Sequence, residues 1–183
     1  MQVKPSRRPR IDVPKTLPDY FGQVLALAGA GSGLLLILII LGALPEQVPG
    51  LFGITDDPAE WSGRWSAAVG VVVALVIFAA MTVLARVPHI YNYPWSITEQ
   101  NAAIQYRLAR SMVIWLNALS VLMLLSIVWS QVWVALGDLE QVNPFMIMGF
   151  IIVIHTVLVL FVYRAYRCQD GDLRNDPLDR SRA

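Results

Sequence analysis

Four stretches of this chain, Tyr20 to Pro45, Trp65 to Ala85, Ser111 to Gly137 and Gln141 to Tyr163, contain no Asp, Glu, Lys or Arg. A helix needs about 20 mainly apolar residues to cross the hydrocarbon core of a bilayer, and each stretch meets that length. The helices of a soluble bundle carry a charged stripe on their outer face, and these carry none. The chain is 56% hydrophobic with a mean hydropathy of +0.57, too apolar for an ordinary soluble fold. The expected fold is therefore all-α, a four-transmembrane-helix bundle.

The loops set the orientation. Lys4, Arg7, Arg8, Arg10 and Lys15 precede the first span, Arg86, Arg107 and Arg110 lie between the second and third, and Arg164, Arg167, Arg174, Arg180 and Arg182 follow the fourth. The two remaining loops hold only Arg64. Short cytoplasmic loops collect Lys and Arg, so both termini and the segment 86–110 are expected in the cytoplasm. Three parts follow: a basic arm over 1–19, a membrane domain over 20–166 and a disordered tail over 167–183. Pro5, Pro9, Pro14 and Pro18 keep the arm extended. The pair Arg7 and Arg8 is followed by Pro9 and Arg10, and no A-x-A site ends the long apolar run after it, so a retained anchor is expected rather than a cleaved leader.

Within the first span, Gly29, Ala30, Gly31, Ser32 and Gly33 lack the Lys-Ser/Thr of a phosphate-cradling loop. In an apolar helix such small residues let a neighbouring backbone approach closely, and the alanines and Gly70 of the second span suit the same packing. The turn-rich loop from Glu46 to Arg64 is acidic, and its Asp56 and Asp57 match no EF-hand spacing, so it reads as solvated. The single cysteine, Cys168, excludes an internal disulfide framework and a multi-cysteine metal site. It reads as an acylation site or an inert thiol beside the membrane.

The third and fourth spans each carry one strongly polar residue, Asn117 and His155. Counting at about 1.5 Å per residue puts both roughly 10 to 14 Å from the cytoplasmic ends. The short loop from Asp138 to Pro144 makes these helices antiparallel neighbours. A contact between the two residues is sterically allowed, either as packing glue or as part of a polar path.

The segment from Arg86 to Arg110 divides in two. Pro88 to Trp95, with Tyr91, Tyr93 and Trp95, reads as an aromatic anchor at the headgroups. Ser96, Ile97, Thr98 and Glu99 fit a capping box, which predicts a short interfacial helix starting near Ile97 and running to about Arg110, to continue or bend into the third span. His89, Glu99 and Arg107 are conceivable as a catalytic trio, and each also has a ready structural task. No HExxH, no His and Cys cluster and no nucleophile triad is present, so no catalytic, cofactor or metal residue is nominated.

The run from Pro88 to Arg110 resembles the N-Y-P-x-x-I-T-x-x-N-x-x-x-Q-Y-R segment of bacterial membrane proteins that carry a particular domain of unknown function. The same module forms the N-terminal part of the SdpI-type immunity proteins. Asn92, Tyr93, Pro94, Ile97, Thr98, Asn101, Gln105, Tyr106 and Arg107 are the matching positions. The stretch from Leu44 to Gly53 is similar to the family's loop after its first helix, with Leu51 where the family usually has His. The resemblance implies a membrane protein without established catalysis. The immunity relatives neutralise a toxic peptide and signal to a cytoplasmic regulator, and this chain lacks their additional helices.

The expectation is thus a non-enzymatic protein of the bacterial inner membrane, acting in envelope sensing, immunity or partner docking through 86–110. Candidate interaction residues are His89, Asn92, Tyr93, Pro94, Glu99, Asn101, Gln105, Tyr106 and Arg107. Expected partners are the lipid bilayer, a cytoplasmic or membrane protein and a second copy of the chain, with no nucleic acid and no cofactor. The alternative is a small transport component using an Asn117 and His155 polar path, with an interfacial enzyme as a third reading.

Overall fold

The computed structural model describes residues 8–49 and 61–170. It contains four long helices, α1 (Leu17–Gly42), α2 (Trp65–Leu84), α3 (Ala102–Ala135) and α4 (Pro144–Arg167). Each is long and apolar enough to cross a membrane. This is the architecture of a multi-pass membrane protein, as the four uncharged runs predict.

At three ends the helices outrun those runs, since α1 and α3 begin earlier and α4 ends later, whereas α2 stays within its run. Counting uncharged residues finds the part that suits hydrocarbon, whereas a helix continues as long as its carbonyls find partners. α1 begins at Leu17, where the Thr16 amide donates to Asp19 Oδ2 at 2.8 Å. α4 begins at Pro144, capped by Asn143 Oδ1, which accepts from the Phe145 amide at 2.9 Å, and it runs on to Arg167. Between α3 and α4 the chain turns at Gly137, whose φ of 83° is open to glycine at little cost.

α3 is the hub, packing against all three other helices. At 34 residues it extends about 51 Å, against about 30 Å of hydrocarbon, so some 14 residues protrude. The protruding part includes the stretch before Arg110 that was expected as a short interfacial helix. Of the two expected courses the helix takes the continuous one into the third span, and the separate helical piece in the segment is a three-residue 3-10 turn, Pro88–Ile90. One continuous helix starts at Ala102, and the residues from Ser96 to Asn101 are non-helical. The Ser96 and Glu99 capping box is not formed. Thr98 and Asn101 exchange bonds instead: the Thr98 amide donates to Asn101 Oδ1 at 2.9 Å and the Asn101 amide to Thr98 Oγ1 at 3.4 Å.

α1 runs parallel to α3, at close approach through glycine. A Cβ on Gly29 would lie 3.0 Å from Val121 Cγ1, and one on Gly33 3.1 Å from Leu125 Cδ2 and 3.3 Å from Val71 Cγ1. The small residues of the first span therefore serve packing. Around them Leu36, Ile40, Val71, Val121, Leu125 and Val128 form the main buried cluster.

A small departure from all-α lies at the far end of the bundle. Strands β1 (Gln47–Pro49) and β2 (Trp61–Gly63) pair antiparallel, with Val48 opposite Ser62. Val48 is fully buried in the main cluster, so the ends of this loop cover the bundle rather than float in solvent. Asp56, Asp57 and Leu51, together with the arm before Arg8 and the tail after Asp170, lie outside the described residues.

Gly29→Leu should lower the unfolding free energy in detergent by about 1–3 kcal/mol, the usual cost of overpacking a fitted contact. Gly31→Leu, where an added Cβ meets nothing within 4 Å, should change it little. Thermal unfolding of the two variants side by side gives the comparison.

Candidate functional site

Four chain segments meet where α1 and α3 begin and α2 and α4 end. The last carbonyls of any helix lack partners within it. Here the carbonyls of α2 and α4 are met by side chains from the segment 86–110. Tyr91 donates its hydroxyl to the Leu84 carbonyl at 2.8 Å, and Arg110 Nε donates to that of Ala85 at 3.2 Å. On the other side of α3, Gln105 Nε2 donates to the Ala165 and Cys168 carbonyls at 2.9 and 3.0 Å. Asn101 Nδ2 donates to Gln169 at 2.7 Å and to Ser96 at 3.0 Å.

The same segment holds the N-terminal arm. Tyr106 donates to the Pro9 carbonyl at 3.0 Å, and Arg110 Nη1 donates to that of Val13. Arg110 Nη2 also lies 3.8 Å from Asp12 Oδ1. From the arm, Arg8 donates to the Tyr91 carbonyl and stands 5.7 Å over the Tyr93 ring. Helical spacing explains the division of labour: Asn101 and Gln105 are four apart and serve α4, while Tyr106 and Arg110 are four apart and serve the arm.

Val13, Ile97, Ala102 and Tyr106 form a small core under these bonds, flanked by Tyr93 and Trp95. Tyr93 lies 5.9 Å from Tyr106, and Trp95 packs edge-on at 6.3 Å to Tyr166 of α4. Burial pushes the Tyr91 phenol up to about 12, against the opposing pull of Arg110. Burial, and then the neighbouring Tyr106 and Tyr91, raise Tyr93 further, with Arg8 pulling the other way. Both phenols therefore stay protonated and act as donors, Tyr93 to the Pro88 carbonyl at 2.9 Å.

Of the candidates expected from sequence, Asn101, Gln105 and Tyr106 are buried and tie elements together, and Tyr93 is half-buried beside them. Asn92, Pro94 and Glu99 are exposed, and His89 and Arg107 are half-exposed. No ion pair joins His89, Glu99 and Arg107 among the described residues. Asn92 and Pro94 line a cavity of ≈ 160 Å³ between the segment and α4, together with Trp95, Met112 and Phe161. Among the described residues no three His, Cys, Asp or Glu side chains gather as a metal site.

Asn117 and His155 are not brought together. Asn117 Nδ2 donates to the Phe78 carbonyl at 3.3 Å and to Thr82 Oγ1 at 3.2 Å, both on α2. His155 is exposed on α4, its Nδ1 bonded to the Ile151 carbonyl at 2.7 Å. The two residues serve separate elements.

Sequence reasoning missed the parts played by Arg110, Tyr91 and Asp12. Arg110 reads as one more flanking charge, yet it is 7% exposed and ties two segments, the end of α2 and the arm, to α3. Its position at the edge of an uncharged run was the available signal, since a charge at the start of a span must find partners or reach the headgroups.

No family model, curated protein or solved structure matches this chain.

Gln105→Ala leaves the Ala165 and Cys168 carbonyls without this donor. Unfolding in detergent should come easier by about 1–3 kcal/mol, the cost of orphaned buried groups. The tyrosines add a pH dependence. Tyr91 ionises near 10 in the unfolded chain and near 12 in the folded one, so above pH 10 the unfolded state binds fewer protons and stability falls as pH rises. Melting temperatures should therefore hold up to about pH 10 and drop beyond it, less steeply in Tyr91→Phe.

Proposed function

We propose that this chain is a non-catalytic protein of the bacterial inner membrane, with both termini in the cytoplasm, that docks a protein partner through the surface of the segment 86–110. The orientation is supported by the basic residues of the sequence's arm, segment and tail, of which the described Arg8, Arg10, Lys15, Arg86, Arg107, Arg110, Arg164 and Arg167 lie where α1 and α3 begin and α2 and α4 end. Tyr91, Tyr93 and Trp95 suit a position among the headgroups at that end.

The observation that carries the docking reading is the division of labour along the segment. Its buried residues fix the ends of α2 and α4 and the arm, while Asn92, Pro94 and Glu99 stay exposed on a backbone those contacts hold still. A preorganised surface loses little conformational freedom on binding, which favours recognition. Because the arm is held by Tyr106 and Arg110 and the end of α4 by Asn101 and Gln105, all on one short stretch of chain, a partner that shifts this stretch alters both sets of contacts. Envelope sensing and immunity are both docking functions of this kind, with a cytoplasmic regulator or a membrane-active peptide as the partner. The likeness of Asn92 to Arg107 to the immunity module adds a motive and rests on those residues alone.

Replacing Asn92 and Glu99 together by Ala should cut recovery of a crosslinked partner from native membranes by about tenfold, the effect of losing one modest hot spot. Protein level should not change, because neither side chain is buried. Undiminished crosslinking in this variant would remove the basis for the proposal.

A further inference from the structure

A second feature lies on the other side of the same end, away from Asn92 and Glu99. A cavity of ≈ 410 Å³ opens between α1, α2 and α3, within the size range of small-ligand sites. It follows α3 from Arg110 through Ile114 to Asn117, and α2 from Thr82 to Phe78, with Arg86 just past the end of that helix. Along α3 that is about two turns, or roughly 10 Å.

Its character changes along that length. At the outer end stand Lys15, Arg86 and Arg110, opposed by Asp12 alone, for a formal charge of 3 − 1 = +2. Lys15 and Arg86 are exposed, with Lys15 Nζ 3.1 Å from Gln23 Oε1. Further in, Ala26, Leu27, Phe78 and Ile114 supply apolar walls. At the inner end Asn117 leaves its Oδ1 buried without a partner, a demand that favours a ligand bringing a hydroxyl or a held water to that depth. Cations outside, apolar walls behind them and one polar group about 10 Å in match an anionic headgroup followed by a glycerol backbone and the start of an acyl chain. Basic pockets between transmembrane helices at the membrane surface are suited to such headgroups.

We propose that this groove binds a phosphate-bearing anionic amphiphile, an anionic phospholipid of the surrounding leaflet, with its phosphate at Lys15 and Arg86. Arg110 shapes the site while remaining tied to Ala85, Val13 and Asp12. The site is separate from the docking surface and does not depend on it.

The test uses the full chain in a mild detergent, titrated with phosphatidylglycerol or phosphatidylcholine, with bound lipid read by native mass spectrometry. Phosphatidylglycerol should be retained in preference, and Lys15→Gln with Arg86→Gln should reduce its binding by about fivefold for each cation removed. Arg86→Gln alone carries the same test if the double variant does not fold. Arg167→Gln, exposed at the same end and outside the cavity lining, should keep the preference. Equal retention of the two lipids, an unchanged preference after loss of Lys15 and Arg86, or the same loss in Arg167→Gln overturns the proposal. Inorganic phosphate raising the melting temperature as much as phosphatidylglycerol overturns it too, and reassigns the groove to a soluble anion.

Discussion

The carbonyls at the end of a helix must be satisfied, and in this protein that requirement organises one whole end of the molecule. α2 and α4 both finish beside the start of α3, and their own C-cap amides reach back only to Met81 and Val83 and to Arg164 and Tyr166. Tyr91 and Arg110 complete α2, while Gln105 and Asn101 complete α4. Near a membrane, where water competes less for these groups, such bonds cannot be given up cheaply. The position of α4 illustrates the dependence. None of its residues is buried, yet it packs along α3, with Phe161 and Ala165 against the small cluster of Ile104, Leu108 and Cys168 and with the side chains of α3 that grip its last turn.

The long span of α3 makes this possible. A helix cut to the bilayer would end before residues 101 to 110 could lie beside the ends of its neighbours. Its two inward edges then divide the work, one turned to α4 and one to the arm. The other half of α3 is held by close approach at Gly29 and Gly33, where α1 presents almost no side chain. Side-chain hydrogen bonds secure one end and backbone proximity the middle.

The bundle was legible because a bilayer imposes a length and forbids charges, and both can be read residue by residue. The glycines of α1 were legible for a related reason, since small residues in an apolar helix have few other uses. Helix ends were less so. The pattern Ser96 to Glu99 satisfies the rule for a cap, but Thr98 with Asn101 supplies one too, and Asn101 also reaches Ser96 and Gln169. That tertiary contact decides between them, and no local pattern contains it. The site was legible in position and not in role: Gln105 and Tyr106 stood out as polar groups on an apolar helix, while their partners lie 60 and 97 residues away. The strands β1 and β2, three residues each, are too short to show an alternation. Asn117 and His155 lie at similar depth, which suggested a pair. Depth says nothing about rotation about the helix axis, and they face different ways.

The grip on α4 has a consequence for how the molecule is made. Its acceptors, the carbonyls of Ala165, Cys168 and Gln169, are among the last described positions of the chain, whereas the donors Asn101 and Gln105 are synthesised 60 to 68 residues earlier. During translation α1, α2 and α3 can assemble, and the arm can settle on Tyr106 and Arg110, while the amides of Asn101 and Gln105 wait in the interface for partners that have not left the ribosome. The closing step of assembly is thus tied to completion of the fourth span. A chain truncated before it leaves the Gln105 amide unmet and the Asn101 amide with Ser96 alone, a local mark by which an unfinished molecule differs from a finished one.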